Sequence, residues 1–212
     1  MTHDPKLNDD ISAAMARQLE SDQNEAEINE TMNLITESAT GDERVAHSST
    51  KRIILAAGMP RSGSTWLYNA VRLLLGDNPD LVAGWVDDLA RREAALLLVK
   101  IHDPSDLADR ADLIFTTYRP LAEVAASLGR MGWPNDATAM QQVRDQRAFW
   151  GPRSNCDILY SDIINSPGET VSRIASVLGV PNKDIVSELL TMKEPEAGYD
   201  PVNLLHRGHR TS

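Results

Sequence analysis

Residues 52–66 read RIILAAGMPRSGSTW, and the reading of the fold turns on them. Arg52 to Gly58 is a short apolar run closed by glycine. A run of that kind, bounded by turn residues, reads as a buried strand. From Ser64 to Leu75 the apolar residues Leu67, Ala70, Val71 and Leu74 recur at helical spacing. A strand, a glycine-rich turn and a helix thus follow one another directly. Outward from this unit the pattern repeats. Leu81–Val86, Ala95–Ile101, Ala111–Tyr118 and Asp157–Tyr160 read as further strands. Leu121–Leu128, Thr138–Trp150, Pro167–Leu178 and Asn182–Met192 read as helices, the third with proline in its first turn. Strands alternating with helices predict a three-layer α/β/α fold around a central parallel sheet covered on both faces.

The turn itself, Gly58-Met-Pro-Arg-Ser-Gly63-Ser64-Thr65, has the spacing G-x-x-x-x-G-x-T. That is a P-loop without its lysine, with Ser64 in the lysine's place. Such a turn lets successive backbone N–H groups point at one anion, and the helix that follows adds its positive end. Ser62, Ser64 and Thr65 can donate hydroxyl hydrogen bonds, and Arg61 adds a full charge inside the loop. The lysine that reaches the outer phosphates of a nucleoside triphosphate is missing. No apolar strand ends in an aspartate suited to magnesium; Val99–Asp103 presents Lys100 and His102 first.

Three further pieces follow in order. Lys100 and His102, two residues apart at a strand end, share one face. Tyr118-Arg119-Pro120 puts an arginine at the C-terminal end of a strand, where open α/β sheets bind ligands. Ser127 lies eight residues on, about two turns into the next helix. Asp157-Ile-Leu-Tyr160-Ser-Asp162 ends another strand with tyrosine. Near the end of the chain, Leu205-His206-Arg207-Gly208 supplies a late basic residue beside glycine.

Together these residues resemble the sulfotransferases that use 3′-phosphoadenosine 5′-phosphosulfate (PAPS). The family's first loop reads Pro-(Lys/Arg)-Ser-Gly-(Thr/Ser)-Thr, often with Trp next, and here Pro60 to Trp66 follows that pattern. The resemblance implies that Arg61, Ser62, Gly63, Ser64 and Thr65 bind the 5′-phosphosulfate and that Trp66 helps hold the adenine. It implies that Arg119 and Ser127 bind the 3′-phosphate and that Tyr160 approaches the nucleotide. Arg207 and Gly208 would close over the 3′-phosphate. Cytosolic members carry Lys-Thr-His at the Lys100–His102 position, which implies His102 as general base, with Lys100 and Arg61 as the charged catalytic partners. The implied reaction moves a sulfuryl group from PAPS to a hydroxyl or amine acceptor, releases PAP and requires no metal. The resemblance covers residues 52–180 well and 200–210 loosely. The chain is shorter than typical cytosolic members, and the missing length falls where the acceptor pocket is shaped. Segments 81–94 and 129–155, with Trp85, Trp133, Trp150, Arg91, Arg92, Arg144 and Arg147, are expected to line the acceptor's side. They suit a small molecule or a carbohydrate.

Composition sets the outer bounds. The 212 residues carry a net charge of −10, with 42% hydrophobic and 25% charged residues, as in ordinary globular chains. A nucleic-acid-coating protein is not expected at that balance. The longest apolar runs are too short to span a bilayer. The opening MTHDPKLNDD has no apolar signal segment, so a cytoplasmic location is expected. A single cysteine, Cys156, leaves no intramolecular disulfide framework. Residues 1–50 hold three basic residues against eleven acidic ones and no Trp, Tyr or Phe. The spacing of Leu7, Ile11, Met15 and Leu19, and of Ile28, Met32 and Ile35, predicts an acidic extension with one or two amphipathic helices. It reads either as packed on its own domain or neighbour, or as a partner segment that mediates an oligomer. Residues 51–212 form the α/β domain. Two rival readings stand beside a sulfotransferase: a non-catalytic nucleotide-binding or assembly protein, and a P-loop nucleotide kinase with a degenerate loop.

Overall fold

The computed structural model describes residues 51–206 apart from 77, 90, 91 and 93. The acidic extension over residues 1–50, Arg91 and the Arg207-Gly208 pair lie outside the described residues. Five strands form one sheet: β1 (Arg52–Ala57), β2 (Leu81–Trp85), β3 (Leu96–Ile101), β4 (Leu113–Tyr118) and β5 (Cys156–Leu159). Their order is β2-β3-β1-β4-β5, and every pairing is parallel. Register is fixed by apolar side chains on both faces, for example Leu55 opposite Val99 and Ile114.

Successive residues of a strand point to opposite faces, so each strand feeds two cores. Ile54, Ala56, Leu98, Phe115 and Ile158 pack on α1 (Ser64–Leu75) through Leu67, Ala70, Val71 and Leu74. Those are the four helix positions that the apolar spacing predicts. Ile53, Leu55, Ala57, Val99 and Ile101 face the other way, against Trp150 and Leu89. Short α2 (Val86–Leu89) and α3 (Leu107–Arg110) were not expected from the sequence; four residues are too few to show a period. Then come α4 (Leu121–Arg130), α5 (Ala137–Trp150), α6 (Tyr160–Asn165), α7 (Pro167–Leu178) and α8 (Val186–Thr191). The expected strand over Asp157–Tyr160 sits one residue earlier. Tyr160 is the first residue of α6, not the last of β5. A two-stranded antiparallel hairpin, β6 (Tyr199–Asp200) and β7 (Leu205–His206), closes the described chain. The molecule is thus an α/β protein with a central parallel five-stranded sheet and helices on its faces. Among the described residues no helix is long and apolar enough to cross a membrane.

All five strands end at the same edge of the sheet. From β1 at the centre the chain moves to β2 and β3 on one side, then to β4 and β5 on the other. That reversal leaves a crevice beside the C-terminal end of β1.

Candidate functional site

The crevice holds a cleft of about 450 Å³. The loop from Gly58 to Gly63 forms its floor. Gly58 and Gly63 have φ of 117° and 94°, and Gly63 is the N-cap of α1. A Cβ on Gly63 would stand 2.6 Å from Ile163 Cδ1 and displace that side chain, and the positive φ is what favours glycine there. Arg61 is held at φ 58°, in the left-handed region that side chains other than glycine avoid. No side chain caps α1, and its first turn carries no acidic residue. Its free N–H groups and positive end therefore belong to the cleft.

Of the residues singled out from the sequence, Arg61, Gly63, Ser64, Thr65, Trp66, Lys100, His102, Arg119 and Tyr160 all line this one cleft. Ser62 does not. Its hydroxyl is fully buried and donates to the Met59 carbonyl at 2.6 Å. With that hydrogen committed, it accepts from Thr117 Oγ1 at 2.6 Å. Ser62 ties the loop to β4 rather than offering a hydroxyl to a ligand. Ser127 is also buried, and it accepts a hydrogen bond from Arg61 Nε at 3.0 Å. The arginine of the loop and the serine of α4 thus meet each other. Arg119 donates from Nε to Glu123 at 3.0 Å and lies 3.9 Å above the Tyr160 ring.

Lys100 is 1% exposed. Its ammonium donates to Thr65 Oγ1 and sits 4.6 Å from the centre of the Trp85 ring. Among the described residues no carboxylate pairs with it, and none lines the cleft. Burial, and then the nearby Arg61 charge, push its pKa down to about 7. The same two kinds of cause, burial first and Arg119 second, lower that of Arg61. His102 Nδ1 bonds to the Gly58 carbonyl. A carbonyl only accepts, so Nδ1 carries the proton and Nε2 is the basic nitrogen of the neutral ring. Trp85 meets the ring edge-on at 5.2 Å. Burial, then Lys100, push the His102 pKa down to about 4, against the pull of the Gly58 bond. That lies below the value near 6.5 of an unperturbed imidazole.

The acceptor-side expectations divide. Trp85 and Trp133 line the cleft, and Trp133 lies 5.8 Å from Arg61. Trp150 is fully buried, where its indole N–H holds the His102 carbonyl at 2.8 Å. It is a support of the site and not part of its wall. Arg147 is taken up by Asp157 at 2.7 Å, and Arg144 by Gln141 at 3.0 Å. Two polar lining residues were given no role by the sequence reading. Asn69 is a polar residue on the buried side of α1, and that misplacement was its signal. His206 arrives on a hairpin of two-residue strands, too short for any periodicity. Compared with models of known protein families and with curated proteins, the chain matches none.

Proposed function

We propose that the protein is a PAPS-dependent sulfotransferase built on a P-loop-like three-layer α/β/α domain. The observation that carries the reading is Lys100: a buried ammonium with no described carboxylate partner, in a cleft it shares with Arg61 and Arg119. A buried cation is costly without a counter-ion, and an anionic ligand supplies one. The uncapped end of α1 adds N–H donors for the same anion.

On this reading Arg119 and Tyr160 serve the 3′-phosphate side, while Arg61, Thr65 and Lys100 serve the phosphosulfate. Ser64 and the loop amides share that charge, and Trp66 offers a flat face for the base. His102 Nε2 takes the proton of an acceptor hydroxyl or amine as that atom bonds to sulfur. The bond from sulfur to the bridging oxygen breaks, and its electron pair leaves with PAP. Lys100 and Arg61 stabilise the charge that appears on that oxygen. Preorganised donors of this kind are typically worth about 3 kcal/mol each. The chemistry asks no metal of the protein.

Calorimetric titration of the full chain with PAP, with and without magnesium, tests the nucleotide half of the reading. Binding that does not need magnesium is expected, together with transfer of sulfur-35 from labelled PAPS to a pool of hydroxyl and amine acceptors. Magnesium-dependent binding of ATP in place of PAP would move the protein to the kinase class. PAP binding without transfer would leave a nucleotide-binding protein.

A further inference from the structure

The hairpin β6–β7 is tied to α1 by side-chain hydrogen bonds. Asn69 Nδ2 of α1 donates to the Asn203 carbonyl at 2.8 Å, and Arg72 donates to Asn203 Oδ1 at 2.6 Å. Asp200 accepts from the backbone N–H groups of Val202 and Asn203 and from Asn203 Nδ2. Leu204 is fully buried and held at φ 52°, so the turn keeps a sterically unfavourable backbone in order to seat that side chain. Together with Arg61, it is one of two described non-glycine residues with positive φ, and both belong to segments that build the cleft.

This anchoring delivers His206. Its ring stacks on Tyr199 at 4.6 Å and lines the cleft. Lys100 lies near enough to act electrostatically on it: burial and then that ammonium hold the His206 imidazole below its ordinary range. Arg119, the residue assigned to the 3′-phosphate, stands at the end of β4, on the other side of β1 from Lys100 on β3.

We propose that His206 binds the transferable sulfonate end of the donor, so that the C-terminal hairpin reads the group to be transferred and not the 3′-phosphate. The inference rests on the proposed PAPS site. An imidazole in the cleft that Lys100 also lines suits an oxyanion, and the hairpin tied to Asn69 and Arg72 holds it in place before the ligand arrives. PAPS carries the sulfonate and PAP lacks it, so the two nucleotides separate this role from general binding.

The experiment is calorimetric titration of the full-length protein with PAPS, PAP and adenosine 5′-monophosphate, without an acceptor. The proteins are wild type, His206→Ala and His206→Gln. His206→Ala should weaken PAPS binding about tenfold and leave PAP within about twofold of wild type, as expected for a lost hydrogen bond to a charged group. His206→Gln, which keeps a donor, should recover part of the loss. The preference for PAP over adenosine 5′-monophosphate should stay as in wild type. Equal losses for PAPS and PAP would make His206 a structural residue and overturn the proposal. A lost preference for PAP over adenosine 5′-monophosphate would assign it to the 3′-phosphate and overturn it as well. Unchanged binding in both variants would remove His206 from the site. A wild type that binds none of the three nucleotides would sink the PAPS reading itself.

Discussion

On the β4 side of the cleft, Arg61 is bonded to Ser127, and Arg119 is held by Glu123 and Tyr160. On the β3 side, Lys100 meets, among the described residues, the Thr65 hydroxyl and the Trp85 ring, and His102 the Gly58 carbonyl. The first pair keeps its charge whatever is bound, because a guanidinium does not lose its proton in a protein. The second pair is charged only on condition: burial presses both groups toward their neutral forms. On the proposed reading that contrast divides the work: the arginines would supply standing affinity for the anionic donor, and the lysine and histidine would be the groups that exchange a proton during transfer.

The sharpest way to break this contrast is His102→Ala. A positioned base typically contributes about 10²–10⁴-fold, and turnover should fall by that much with PAP affinity nearly unchanged. The pH dependence of kcat/KM reports the free protein. With His102 near 4 and Lys100 near 7, the profile should be a bell between those values. The acid limb needs His102 deprotonated, and the alkaline limb needs Lys100 protonated. Because the two groups perturb each other, the limbs belong to the pair. An acid limb at 6.5 would mean that His102 is solvated in solution. Near-normal turnover in His102→Ala would remove His102 from the mechanism.

Arg119→Ala probes the other side. Losing a partner to a charged group costs about 1.5–3 kcal/mol. PAP should lose affinity by that amount, whereas adenosine 5′-monophosphate should not. Competitive titrations of both ligands against the variant measure the difference. Equal losses would show that Arg119 does not read the 3′-phosphate and would dissolve the division between the two sides.

The two sides were not equally legible in the sequence. The loop and the ends of the strands were, because a glycine pair at fixed spacing after a strand constrains the backbone locally. Arg61, Lys100, His102 and Arg119 follow from where the strands end, and the strands follow from their apolar runs. What the side chains do there was less legible. Ser62 and Trp150 carry the right chemistry for a ligand, but the fold spends both on itself. Their partners, Thr117 and the His102 carbonyl, come from segments far along the chain. The depressed pKa of His102 likewise depends on how many elements meet around it. His206 is the extreme case, since tertiary hydrogen bonds from Asn69 and Arg72 fix the hairpin that carries it.

The smallest effect expected is also the most direct measure of the conditional charge on the β3 side. Arg61, His102, Arg119, Tyr160 and His206 are the titratable groups that share the cleft with Lys100, and none of the described lining residues carries a carboxylate. With its pKa at about 7 in the free protein, Lys100 is half protonated at pH 7. A bound anion favours the ammonium, so PAP binding at pH 7 should take up about half a proton through this group. The affinity for PAP should therefore fall as pH rises above 7 and stay level, for this group, below it. The same depression has a signature without ligand. Between about 7 and 10.5 the unfolded chain binds more protons at Lys100 than the folded one. This contribution to stability therefore rises with pH across that window. Titrations in two buffers of different ionisation enthalpy count the protons, and Lys100→Met should abolish the uptake. If wild type and Lys100→Met take up the same number of protons, Lys100 keeps its charge in the empty cleft, and the distinction between standing and conditional cations fails.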